Sequence, residues 1–299
     1  MRGWLTVTGA LGCAVLLAGC AGSPFTSGLV DIGDDRSIYA ECSGSGSPTV
    51  VLVPGSRESH EVWQVTEPAN GDISTSPLMT SDAAVFPTLA SNTRVCTYDR
   101  PGVPLLDGTM STSTLVPQLT TAQQAADDLQ AWLSAADVPG PYVLAAHSWG
   151  GLIAVRYAQE HPDDVAGLVL VDPASVQLRE ALSPTQWKAF LDLVASLVDG
   201  SQVEVPDYAG TVDVVASGPA VPEVPAVVLT ADQPFDFGIG TDDTWPAWLA
   251  AQDRLAAALG AEHVTDTDSG HLIMVEQPAL VTSAIERVLD AVRDRAASE

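Results

Sequence analysis

The chain has 299 residues, 46% of them hydrophobic, and its 12 basic side chains stand against 38 acidic ones for a formal net charge of −26. A field of that sign repels phosphate backbones and anionic surfaces, which argues against nucleic acid as a partner. Charged residues make up only 17% of the chain and apolar periodic segments run throughout, so disorder is excluded and there is enough apolar material for one large core.

The chain opens MRGWLTVTGALGCAVLLAGC, with one early charge at Arg2 and then an apolar run too short and too glycine-interrupted for a spanning helix. The run ends in Leu17-Ala18-Gly19-Cys20, which resembles the lipobox of bacterial lipoproteins. That resemblance implies a signal peptide over residues 1–19, lipidation of Cys20, and an exported protein held at the cell membrane by its lipid anchor. Residues 20–35 are expected to be the lipidated tether and residues 36–299 the folded domain. Outside the targeting segment the cysteines are Cys42 and Cys96, and in an exported protein such a pair points to a disulfide. There is no CxxC and no Cys/His cluster, so a zinc site is not expected; no other metal and no cofactor is expected either.

From residue 36 the pattern alternates between strands and helices. Strands are expected at 36–42 (RSIYAEC), 49–53 (TVVLV, a β-branched run buried on both faces), 93–98, 142–146 (YVLAA), 165–171 (VAGLVLV), 226–230 and 262–265. Helices are expected at 120–135, 150–161, 247–259 and 278–296, the last with Leu280, Ala284, Ile285, Val288, Leu289 and Val292 on one face. This alternation predicts an α/β fold with a mostly parallel central sheet and helices on both faces. Two connections exceed simple crossovers: residues 55–92, and residues 173–225, which carry the amphipathic SPTQWKAFLDLVASLVDG. The second is expected to be a helical lid insertion.

The stretch Ala145 to Ala158, AAHSWGGLIAVRYA, joins an expected strand to an expected helix, with Ser148 on the turn between them. A serine on so sharp a turn is strained and pushes its Oγ out of the top of the sheet, and small residues two before and two after it let strand and helix meet. Ala146 and Gly150 supply them. This elbow resembles the α/β-hydrolase superfamily, and the likeness extends over most of residues 36–296. It takes in Val51-Leu52-Val53-Pro54-Gly55 as the third strand and oxyanion loop, Tyr98-Asp99-Arg100-Pro101-Gly102 as a Y-D-x-x-G loop, and Asp268-Ser269-Gly270-His271 as the last loop.

The resemblance implies an α/β-hydrolase fold and a Ser-His-acid triad with Ser148 as nucleophile and His271 as base, in the chain order of that fold. The acid is open among three residues. Asp172 ends a strand (VLVDP) beside the elbow and is favoured; Asp232 and Asp236 lie in a turn that departs from the usual G-x-x-D. The oxyanion hole would use the backbone N–H groups of Trp149 and Ser56. Cys42 and Cys96 would fall on neighbouring strands. The activity implied is cleavage of a small-molecule ester; an aminopeptidase, a cofactor-free haloperoxidase-like enzyme, or a non-catalytic binding lipoprotein are the alternatives.

Overall fold

The computed structural model describes residues 1, 25–68, 77–235, 237–239 and 244–298. Residues 2–24, which hold most of the expected signal peptide and Cys20, and Asp236 lie outside the described residues.

In chain order the strands are β1 (Ser27–Gly33), β2 (Arg36–Ser43), β3 (Thr49–Val53), the short β4 (Val65–Thr66) and β5 (Met79–Thr80), β6 (Val95–Asp99), β7 (Tyr142–His147), β8 (Val165–Val171), β9 (Ala226–Leu229) and β10 (Glu262–Val264). The helices are α1 (Val85–Ala90), α2 (Ala122–Ala135), α3 (Trp149–Glu160), α4 (Val176–Ala181), α5 (Pro184–Ser196), α6 (Tyr208–Ser217), α7 (Trp245–Leu259), α8 (Ile273–Glu276) and α9 (Pro278–Ser298). Eight strands form one sheet in the order β1-β2-β6-β3-β7-β8-β9-β10. The pairs β1–β2 and β2–β6 are antiparallel, and every later pair is parallel.

The continuous apolar run of β3 reflects burial on both faces, because alternate residues of a strand point to opposite sides. Val51 and Val53 enter the core shared with Leu129 and Trp132 of α2, Ile153 and Tyr157 of α3 and Leu255 of α7. Val50 and Leu52 enter the opposite core, with Val85 and Leu89 of α1 and Val281, Ile285 and Val288 of α9. The expected α/β architecture, a mostly parallel sheet covered on both faces, is therefore the one observed. Local signals agree with it. Thr121 and Ser183 each form a capping box, with Gln124 and Gln186 respectively, at the starts of α2 and α5.

The expected tether over residues 20–35 is corrected. Residues 27–33 form β1, which pairs with β2 across a turn in which Asp34 and Asp35 both take positive φ, 52° and 56°. Aspartate tolerates that region better than most residues, and a tight hairpin requires it. Val30, 7% exposed, joins the core and anchors the strand. The folded body thus begins before residue 36.

Cys42 and Cys96 face each other across β2 and β6 and form a disulfide. Between β8 and β9, residues 173–225 fold as α4, α5 and α6, above the end of the sheet that carries Ser148.

Candidate active site

Ser148 joins the end of β7 to the start of α3 at φ 49° and ψ −120°, an unfavourable conformation for a residue with a Cβ. The turn is held on both sides. The Ser148 N–H donates to the Val171 carbonyl at 3.2 Å, and its own carbonyl accepts from Gly151 at 2.9 Å and Ala174 at 2.8 Å. The small residues behind it are a steric requirement. A Cβ on Gly150 would lie 2.6 Å from the Val53 carbonyl oxygen, and one on Gly151 would lie 2.5 Å from Pro173. Ala146, fully buried in β7, occupies its place without disturbing the turn.

His271, side chain 30% exposed, directs Nδ1 at Oδ2 of the fully buried Asp172, 2.6 Å away. Asp172 follows β8 at φ 41°, so it too sits in the left-handed region at a strand end. Its Oδ1 accepts from the Ala231 N–H at 3.1 Å and the Trp248 indole at 2.9 Å. The carboxylate is thereby fixed, and the imidazole with it. Asp232 is exposed and does other work: its carboxylate accepts from the N–H groups of Thr267 (3.2 Å), Asp268 (2.9 Å) and Ser269 (3.0 Å), the backbone leading into His271. Against a desolvation effect, those N–H groups hold the Asp232 pKa below the usual carboxylate value. Of the three sequence candidates for the acid, the structure thus brings Asp172 to His271 and leaves Asp232 supporting the loop. Asp236 lies outside the described residues.

A cavity of about 240 Å³ opens over Ser148 and His271. Ala174 and Leu178, with Phe190 of α5, Tyr208 of α6, Phe235, Phe237 and Trp248 of α7, form the rest of its wall. Phe235 packs against His271 with the ring planes tilted by 39° and the centroids 4.8 Å apart. Trp149 is fully buried and packs edge-on against Tyr208 at 4.9 Å, beneath the helical insertion.

The loop after β3 is braced from outside the cavity. Arg100, nearly inaccessible, donates to the Pro54 carbonyl at 2.8 Å, to the Gly55 carbonyl, and to both oxygens of Glu204 at 2.5 and 3.0 Å. Glu204 lies between α5 and α6 and also accepts the Arg57 N–H at 2.7 Å. Because a trans peptide sets its N–H opposite its C=O, fixing the Gly55 carbonyl on Arg100 turns the Ser56 N–H the other way. Trp149, as the first residue of α3, carries an N–H with no partner within the helix.

The other histidines have different settings. His60 pairs with Asp99 at 2.9 Å, His263 with Thr230 at 2.8 Å, and His161 ends α3 against Tyr157. His147 is buried and meets Glu58 and the His271 carbonyl, each at 2.9 Å. Glu58, Glu204, Arg100 and the role of His147 escape sequence reasoning. The contacts that join them to distant loops span 45 to 147 positions of sequence, and the one local hint is Arg100 within the Tyr98–Gly102 loop.

The chain is similar to several known proteins. An uncharacterized protein of Schizosaccharomyces pombe is 36% identical over 161 residues, 50% of this chain and 28% of that protein. A proline iminopeptidase of Arabidopsis thaliana is 26% identical over 192 residues, 60% of this chain and 44% of the relative. The chain therefore spans less than half the length of these relatives. A thermophilic esterase from Thermogutta terrifontis has a similar fold, with a TM-score of 0.55 and 20% identity over 90% of this chain and 99% of the esterase. The family model for the alpha/beta hydrolase family matches residues 50–284, from β3 into α9. The chain belongs to the alpha/beta hydrolase family.

Proposed function

We propose that the chain is a serine hydrolase that cleaves carboxylic esters through an acyl-enzyme. Ser148 attacks the ester carbonyl carbon and His271 Nε2 takes its proton. Asp172 holds the imidazole in the tautomer that leaves Nε2 free to accept. The tetrahedral oxyanion is received by the N–H groups of Trp149 and Ser56. Collapse expels the alcohol, protonated by His271. Water, activated by the same imidazole, then releases the acid and restores Ser148. The observation that carries this reading is the 2.6 Å contact between His271 Nδ1 and the buried Asp172, with Ser148 and His271 lining one cavity.

The wall of that cavity favours esters with a neutral, apolar acyl group. It is built from aromatic and aliphatic side chains, and a net charge of −26 disfavours anionic substrates. An iminopeptidase would need a carboxylate for the substrate ammonium, and the described lining of the cavity carries none. The segment 173–225 supports a lid role, since Leu178, Phe190 and Tyr208 cover the nucleophile. Leu17-Ala18-Gly19-Cys20 supports lipidation of Cys20 and anchorage at the cell membrane. Mass spectrometry of the membrane fraction tests this: a diacylated peptide beginning at Cys20 is expected, and a free thiol there contradicts it.

The test of the chemistry is turnover of a panel of p-nitrophenyl esters, from acetate to decanoate, beside aminoacyl p-nitroanilides. Ester hydrolysis is expected, abolished by Ser148→Ala. Cleavage of the anilides with no ester turnover would contradict the reading.

A further inference from the structure

His147 is the last residue of β7, fully buried, and next to Ser148 in the chain. Among the described residues each ring nitrogen has one partner, and both partners are acceptors. Nε2 lies 2.9 Å from the backbone carbonyl oxygen of His271, which cannot donate. Nδ1 lies 2.9 Å from Oε2 of Glu58, and that same oxygen already accepts the Gly55 N–H at 2.6 Å. A neutral imidazole has one N–H and satisfies only one such partner; an imidazolium satisfies both. Space is closed around the pair, since a Cβ on Gly55 would lie 2.7 Å from both Glu58 Oε2 and His147 Nδ1.

We propose that His147 is a positioning residue, an imidazolium that ties the three loops of the site together. It stands beside the nucleophile, holds the oxyanion-side loop through Glu58 and Gly55, and holds the last loop through the His271 carbonyl. This rests on the esterase reading for its catalytic consequence but not for its protonation state. The other groups that face His147 are the His271 ring, 4.6 Å away between centroids, and Asp172 beyond it. Arg100, bonded to the Gly55 carbonyl, is the next charge along the oxyanion-side loop. Burial opposes the charge on His147, but Glu58 and the hydrogen bonds to Glu58 and to the His271 carbonyl outweigh it, and the pKa lies above the ordinary histidine value. Glu58 correspondingly lies below the usual carboxylate value, its own burial being overcome by His147. Loss of the proton at high pH therefore leaves one loop untethered.

Two measurements on the full-length chain test this. In 15N-histidine NMR, the resonances that vanish in His147→Gln should titrate with a midpoint above the free-histidine value of about 6.5, and Glu58→Gln should lower that midpoint. In ester kinetics, His147→Gln should lower kcat by about 10²-fold with KM little changed, as displaced catalytic groups do. The alkaline limb of the wild-type kcat profile should move to lower pH in Glu58→Gln and vanish in His147→Gln. A His147 midpoint at or below the free-histidine value, or an alkaline limb unmoved by either substitution, overturns the proposal. An enzyme with no ester turnover would overturn the functional reading instead, and the NMR result would still decide the state of His147.

Discussion

Among the described residues the carboxylates of Asp172 and Asp232 each accept three hydrogen bonds, yet they support different atoms. Asp172 is fully buried and gives one oxygen to the His271 imidazole, whereas Asp232 is exposed and gives both to backbone N–H groups. Asp172→Asn should lower kcat by about 10⁴-fold, because an amide favours the wrong imidazole tautomer. Asp232→Asn should leave kcat within a few-fold of wild type. Steady-state kinetics on the two variants separates these roles, and the reverse ranking would mean that the acid has been misplaced. The elbow makes a second residue-scale prediction. Ala146→Gly restores the commoner pattern but should lower stability by about 0.5–1 kcal/mol, read by urea denaturation, without raising ester turnover, because the turn already closes with alanine. Gly150→Ala should disrupt the elbow, since its Cβ would sit 2.6 Å from the Val53 carbonyl oxygen. The ionisation of His147 also bears on stability. Its native pKa is raised, so its contribution is fully present below about pH 6.5 and is lost as pH rises through the native value.

The Arg100–Glu204 pair links elements that are far apart in the chain: the end of β6, the loop after β3, and the segment between α5 and α6. Both side chains are almost completely buried, at 2% and 1% exposure. Removing one charge from such a pair leaves the other uncompensated, which typically costs about 3–5 kcal/mol. Glu204→Gln should show that loss in equilibrium denaturation, together with weaker ester turnover as the Gly55 carbonyl is released. A variant as stable and as active as wild type would show that the brace is dispensable. At this scale the sequence was most legible where burial is symmetrical. The runs TVVLV and VAGLVLV coincide with β3 and β8, because a strand covered on both faces needs apolar residues at every position. It was least legible where short elements depend on partners. The six-residue α1 and α4 are too short for a periodic signal, and β1 lies in a stretch whose Gly, Ser and Asp content reads as a tether. The acid stayed open in the sequence for a related reason: no local pattern records that β8 brings Asp172 beside the loop of His271.

Across the whole molecule, the sheet order places β7 near the centre, and the elbow, the end of β8 and the last loop converge over it. The parallel half of the sheet carries Ser148 and Asp172 at neighbouring strand ends, and the antiparallel edge is fastened by the disulfide. That bond links residues 54 apart in sequence, and by loop-closure entropy it contributes about 4 kcal/mol. The doubly substituted Cys42→Ala, Cys96→Ala chain should therefore unfold at lower denaturant while keeping its ester specificity, because both positions lie away from the cavity. The central claim is that Ser148 is a nucleophile activated by the His271–Asp172 pair. Its most direct test is reaction of the purified full chain with a fluorophosphonate, followed by peptide mass spectrometry. Stoichiometric labelling of Ser148 is expected, slowed sharply by His271→Ala and abolished by Ser148→Ala. An unlabelled wild-type chain, or a label that survives Ser148→Ala, would contradict it.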